Sequence, residues 1–390
     1  MKRRLLWVCG VVAALLIVVG LGMWLGGMSA RNQIIRLTRE AKEAGLVFEP
    51  VQNPPNPKAE AIRRKINALR DKRDGKTTIY SDTENVAEMA LLIERDKDIH
   101  DLAIELSNCT SYGRGDDNLY LETLRGLTPL IVRGNFAVTQ GDVSALLASA
   151  TAMRRLSNLM PRQESVACIV AEMFLYEYAT LLQSGAEAFA NNIDALIAIE
   201  AEARQWKEGS FEDAARHQIG EILRWIDEAA KEDPNESVWD TLQRWAANAR
   251  NESDREKIAA LKQMIEVCGR WQDDAFILGT DHGGGSHERY WHAGSLKEQE
   301  ILAVSYLRSL ALTLRARTIK AKTGHWPSIE ELAASGLNTL DPILRRPYRW
   351  QVFEGNQRIL GSRFGGETPI EDFVLLTGPE RLRSPYQSKY

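Results

Sequence analysis

The residue types that metal chemistry needs are concentrated in one stretch, Asp281-His282-Gly283-Gly284-Gly285-Ser286-His287-Glu288-Arg289-Tyr290-Trp291-His292. Three of the six histidines lie in it, with Asp273 and Asp274 just upstream. Neutral imidazoles with a carboxylate suit zinc or another borderline divalent ion. His287-Glu288 followed by His292 is one residue longer than HExxH. Residues five apart on a helix point about 140° from each other, which excludes a helical zincin site. The metal reading that remains is a loop site in which His282, His287 and His292 hold zinc, and it would serve a metal-dependent hydrolase. The composition favours the plainer expectation, a Gly-rich connection between two helices.

Other candidates are more dispersed. Glu172 and Glu177 could act as an acid–base pair, but they too are five apart and diverge on a helix. Both are expected at the rim of a buried helix, solvated or ion-paired. Asp96 and His100 stand four apart on a charged face and are expected to be solvated. His217 falls on the polar side of its helix. His325, beside Trp326 and Pro327, reads as turn packing. Arg114-Gly115-Asp116 matches an adhesion triplet, but three residues carry almost no specificity and the Gly-rich turn explains it far better. No GxSxG nucleophile, Walker A loop, Rossmann fingerprint or CxxC pair occurs. The reading assigns no catalytic residue and no cofactor-binding residue.

The elements that must position these residues start from Leu5–Gly27, an apolar run within a charge-free stretch ending at Ala30. As a helix it would reach about 35 Å, enough for a hydrocarbon core of about 30 Å. Trp7 and Trp24 lie near its ends, where amphipathic rings prefer the interface. The core is longer than that of a signal peptide, and Met28-Ser29-Ala30 is a poor cleavage site. The expectation is therefore an uncleaved, single-pass transmembrane helix that places the chain in the cell membrane. Lys2, Arg3 and Arg4 put the N-terminus in the cytoplasm and the body on the extracytoplasmic side. Gly22 and Gly26 form a small-xxx-small pair that would admit a second helix, a route to a dimer.

The 390 residues carry 49 Lys and Arg against 53 Asp and Glu, a net charge of −4 that leaves no nucleic-acid footprint. Four cysteines, Cys9, Cys109, Cys168 and Cys268, are too few and too widely spaced for a disulfide framework. The fold expected is mainly α. It comprises a cytoplasmic tip and transmembrane anchor over 1–28, a juxtamembrane helix and Pro-rich spacer over 29–58, and a helical body over 59–323. A small C-terminal α+β unit with a β-hairpin follows over 324–379, and 380–390 form a loose tail. Gly45 is read as a helix C′ residue, and the run through Pro54, Pro55 and Pro57 as an extended spacer. Within the body, Ser81-x-x-Glu84 opens a helix to about Leu106, and Asp142 caps another. The run 166–182 is apolar on most sides and is therefore expected to be buried. Further helices are expected at about 190–206, 211–231, 236–250 and 252–272, and a long one ends at Gly324. Helices in series with short loops point to an α-solenoid-like stack or an irregular helical bundle.

The Ala44-Gly45-Leu46 turn, the Pro-rich spacer, Gly141-Asp142 and the segment from Thr323-Gly324-His325-Trp326-Pro327-Ser328 to Pro347-Tyr348 resemble an uncharacterised family of single-span bacterial proteins with a helical extracytoplasmic body. That resemblance implies no activity. The same C-terminal segment resembles type II secretion pseudopilins, although Ile343-Leu344 follows Asp341-Pro342 and no prepilin cleavage site precedes the apolar run. The functional expectation is a protein-binding or scaffolding role with another envelope protein as partner. The alternatives are the loop-metal hydrolase and a subunit of a secretion or pilus-like assembly.

Overall fold

Glycines and small polar caps set where the helices stop and start. Gly45 takes φ 82° and Leu46 N–H reaches back to the Ala41 carbonyl at 2.9 Å, closing the first helix with a Schellman turn. Gly141, at φ 70°, ends another helix in the same way, with Asp142 N–H on the Ala137 carbonyl at 2.9 Å. The Asp142 carboxylate then accepts from Ala145 N–H and opens the next. Asn192 caps by the same contact to Ala195. Ser328 and Glu331 form a reciprocal capping box.

The computed structural model describes residues 29–49, 54–72, 86–113, 128–206, 209–229, 249–274, 277, 293–353, 356–365 and 368–374. The chain is mainly helical. Residues 29–43 form α1. The following helices are α2 (Pro57–Lys72), α3 (Val86–Arg95), α4 (Lys97–Ser107), α5 (Thr128–Gln140), α6 (Val143–Leu159) and α7 (Ser165–Ala188). After them come α8 (Ile193–Ala203), α9 (Glu212–Ala229), α10 (Ala249–Gly269), α11 (Ala293–Thr323) and α12 (Ile329–Ala334). Three strands close the described chain: β1 (Arg349–Phe353), β2 (Asn356–Gly365) and β3 (Thr368–Val374). They form one antiparallel sheet in the order β1-β2-β3, with Arg349 opposite Leu360 and Leu360 opposite Val374.

The chain divides into two compact units. One holds the described residues of Met1–Pro50 and Glu212–Ala293; the other holds those of Val51–Phe211 and Gly294–Tyr390. In the first, α9 packs on α10. The segment after α1 runs along α9: Val47 N–H donates to the Arg216 carbonyl at 3.0 Å, and Arg216 Nη1 donates to the Ala44 carbonyl at 2.7 Å.

In the second unit α2 packs on α4, α3 on α5, α4 on α6, α5 on α7 and α6 on α8, besides the contacts between successive helices from α3 to α8. Their shared core includes Ile66, Leu106, Leu130, Leu146, Leu156 and Leu182, all at 0% exposure. Each such side chain stabilises the fold by about 1.5–3 kcal/mol relative to exposure. Helix α7 is the buried spine of this core, as its apolar run requires. From α11 come Tyr306, Leu307, Leu310 and Leu314. A smaller core joins α11 to α12 through Leu312, Ala316, Leu332 and Tyr348.

Two expectations are corrected here. Among the described residues no helix is long and apolar enough to cross a membrane. The longest, α11, has 31 residues but carries eight Lys, Arg and Glu residues along its length. The Leu5–Gly27 run, with Gly22 and Gly26, lies outside the described residues, and the transmembrane, single-pass and cell-membrane assignments are not retained. The helix expected to run unbroken to Leu106 is interrupted at Asp96, at φ −104° and ψ 15°, and its Ser81-x-x-Glu84 start lies outside the described residues.

Candidate functional site

Polar groups converge on α7. About 100° per residue places Glu172, Tyr176, Gln183 and Glu187 within one stripe of that helix. Two contacts show what the stripe faces. The Tyr176 and Tyr306 rings meet edge-on with centroids 5.3 Å apart, and Arg317 Nη2 lies 3.0 Å from Glu187 Oε1. The contact residues are equally spaced along α7 and α11, so the two helices run parallel and in register. The seam between them is polar: Glu172, Gln183, Ser309, Thr313 and Arg317 are all buried.

Glu172 is its most unusual member. It is 5% exposed and has no hydrogen-bond or ion-pair partner among the described residues. Burial alone pushes its carboxyl up to about 8, so it is a neutral acid at pH 7. In that state it is a hydrogen-bond donor and a proton reservoir, and it is no base until the pH exceeds 8. Extrapolated from those two contacts, the register brings it level with Leu302 of α11. Arg317 is also held below its ordinary value by burial, which Glu187 only partly offsets. Further along α11, Arg315 reaches Glu200 of α8 at 3.7 Å, and Glu200 also accepts from Arg204 at 2.5 Å.

A second cluster lies between α4 and α5. His100, expected to be solvated, is 9% exposed, and Asp96 is 5% exposed. Arg95 grips Asp96 through two contacts of 3.0 and 2.7 Å, which satisfies the buried carboxylate. His100 Nδ1 lies 3.2 Å from Asp101 Oδ1 and 3.4 Å from Arg133 Nη1. Arginine can only donate, whereas the carboxylate needs an N–H, so a neutral ring serves one of them at a time. Burial is the largest influence on His100 and lowers its pKa, keeping the ring neutral at pH 7.

The remaining candidates separate. His282, His287 and His292 lie outside the described residues. Among the described residues no group of three His, Cys, Asp or Glu is placed to hold a metal ion. Asp273 is paired with Arg270 at 2.7 Å. His217 Nδ1 lies 2.8 Å from the Asp213 carbonyl one turn back, and His325 is an exposed turn residue. Glu177 is half-buried and engaged, whereas Glu172 is not at the rim. Arg63 is 1% exposed and stacks over Tyr112 at 4.4 Å. One sequence signal pointed to Glu172: a helix apolar nearly all round has no solvated side for a carboxylate. Comparison with family models, with curated proteins and with solved structures finds no match to this chain.

Proposed function

We propose that this chain works by binding another protein, with α2 to α8 acting as an α-solenoid-like scaffold. The observation that carries this reading is the packing of each of these helices on the next but one, and of each from α3 onward on the next. A stack built that way leaves a row of outer helix faces as one extended surface, and such surfaces commonly serve as binding platforms. On α8 that surface is apolar in part: Ile193 and Ile197, one turn apart, are 38% and 43% exposed, while Leu196 and Ile199 fill the core. Apolar side chains at the centre of a contact patch are the usual anchors of a protein interface.

A photo-crosslinking residue at Ile197 tests the reading, with the exposed Lys322 as the control position. A discrete crosslinked protein is expected at Ile197 and none at Lys322. The purified partner should then bind the wild-type chain, and Ile193→Asp with Ile197→Asp should weaken binding at least tenfold. Equal crosslinking at both positions, or unchanged affinity, overturns the scaffold reading. So would a zinc-dependent hydrolytic activity lost on changing His282, His287 and His292 to Ala.

A further inference from the structure

We propose that the α7–α11 seam is a proton-gated latch: it is closed while Glu172 carries its proton and opens when Glu172 ionises. The seam is a defined interface, fixed by the Tyr176–Tyr306 ring contact and the Glu187–Arg317 ion pair. Glu172 lies one turn before Tyr176 on the same stripe, 5% exposed, without a hydrogen bond or counter-ion among the described residues.

Most of the described charges on the elements around α7 have contacts elsewhere. Arg133 of α5 contacts His100. On α6, Arg154 holds Glu202 and Arg155 holds Asn108, and Arg162 in the following turn bonds Ser157. On α8, Glu200 is taken by Arg204 and Arg315. On α11, Lys297 pairs with Glu300, Arg308 donates to the Leu340 carbonyl, Arg317 pairs with Glu187, and Glu298 is engaged. On α7 itself Tyr176 meets Tyr306 edge-on, and Glu177 is engaged. Among the described residues no charged group contacts Glu172, and burial is the only influence that shifts it. A buried, unpaired carboxylate is costly, and the system lowers that cost by letting water reach it.

The linkage has a definite sign. The closed state holds the proton up to about pH 8, whereas an open, hydrated carboxyl loses it near its ordinary value of 4.5. Between those limits the closed state binds more protons, so rising pH favours opening, by up to about tenfold per pH unit. Above pH 8 both states are ionised and the dependence flattens. The open state exposes Tyr306, Leu307 and Leu310, part of the apolar contribution of α11 to the core.

Residue-resolved hydrogen exchange from pH 5 to 9, expressed as protection factors to remove the intrinsic pH dependence of exchange, tests this directly. In the wild-type chain, amides of residues 168–180 and 299–312 should lose protection about tenfold per unit up to pH 8 and then level off. Amides of α4 and α5 should stay flat. In Glu172→Gln, a neutral isostere, the seam should stay flat as well. Glu172→Leu provides a second non-titrating variant should the glutamine rearrange the seam. A flat wild-type seam overturns the latch. So does the same slope in both variants, or an equal loss of protection across α2 to α6, which would mean global unfolding.

Discussion

At the scale of single residues, the second unit relies on buried ion pairs whose partners sit on different helices. Arg154 of α6 donates to both Glu202 carboxylate oxygens on α8, at 2.8 and 3.3 Å, with the two side chains only 15% and 12% exposed. Tyr178 of α7 completes the junction by donating to the Glu202 carbonyl at 2.9 Å and packing its ring on Trp206 at 4.8 Å. Removing one charge strands the other, at a cost of about 3–5 kcal/mol for a buried pair. Removing both together often costs far less, because two desolvation penalties vanish with the attraction. Glu202→Leu should therefore lower unfolding stability by a few kcal/mol, and Arg154→Leu with Glu202→Leu should restore part of the loss. Urea denaturation of the four-member cycle measures this. A double variant as unstable as the sum of the two singles would show that the pair contributes nothing through mutual attraction.

At the scale of elements, close approach in the first unit depends on a glycine in mid-helix. A Cβ on Gly220 of α9 would stand 2.5 Å from the Phe48 carbonyl oxygen, a backbone atom that cannot swing aside like a side-chain end. Alanine gains about 1 kcal/mol in helix propensity over glycine. Overpacking costs about 1–3 kcal/mol, towards the upper end where backbone must shift. The clash should win. Gly220→Ala should destabilise the chain and open 46–49 to protease, while Gly209→Ala, with no atom within 4 Å of the new Cβ, should not. Limited proteolysis with mass mapping distinguishes the two, and equal resistance would show that the segment yields without cost.

At the scale of the whole molecule, stability rests on packing alone as far as the described cysteines go. Cys109, Cys168 and Cys268 are all free thiols. Cys168 and Cys268 are 0% and 4% exposed, and burial pushes the Cys268 thiol up to about 11, away from the reactive thiolate. Cys109 is partly exposed, and among the described cysteines only this one is open to reagent. In a Cys9→Ser background, native labelling at pH 8 should modify Cys109 first, with Cys168 and Cys268 reacting at the rate of unfolding. Reductant should leave the melting temperature unchanged. A reductant-sensitive melt, or early modification of Cys168, would contradict the packing described.

The sequence by itself determined the helical class and most helix ends. Gly45, Gly141, Asp142, Ser328 and Gly324 act through the backbone within a turn of themselves, so their effect is local and readable. It also marked 166–182 as buried, because an apolar surface on all sides has only one stable environment. The division that associates 212–293 with 29–49 was decided by tertiary structure, since nothing local signals which distant helix a face will meet. Burial of Asp96, His100 and Arg63 was likewise decided there. Each looks solvated on its own helix, yet His100 meets Arg133 of α5 and Arg63 lies over the Tyr112 ring. Glu172 shows the difference most directly. Periodicity placed it on a buried helix, but only the tertiary packing around α7 left it buried without a partner among the described residues.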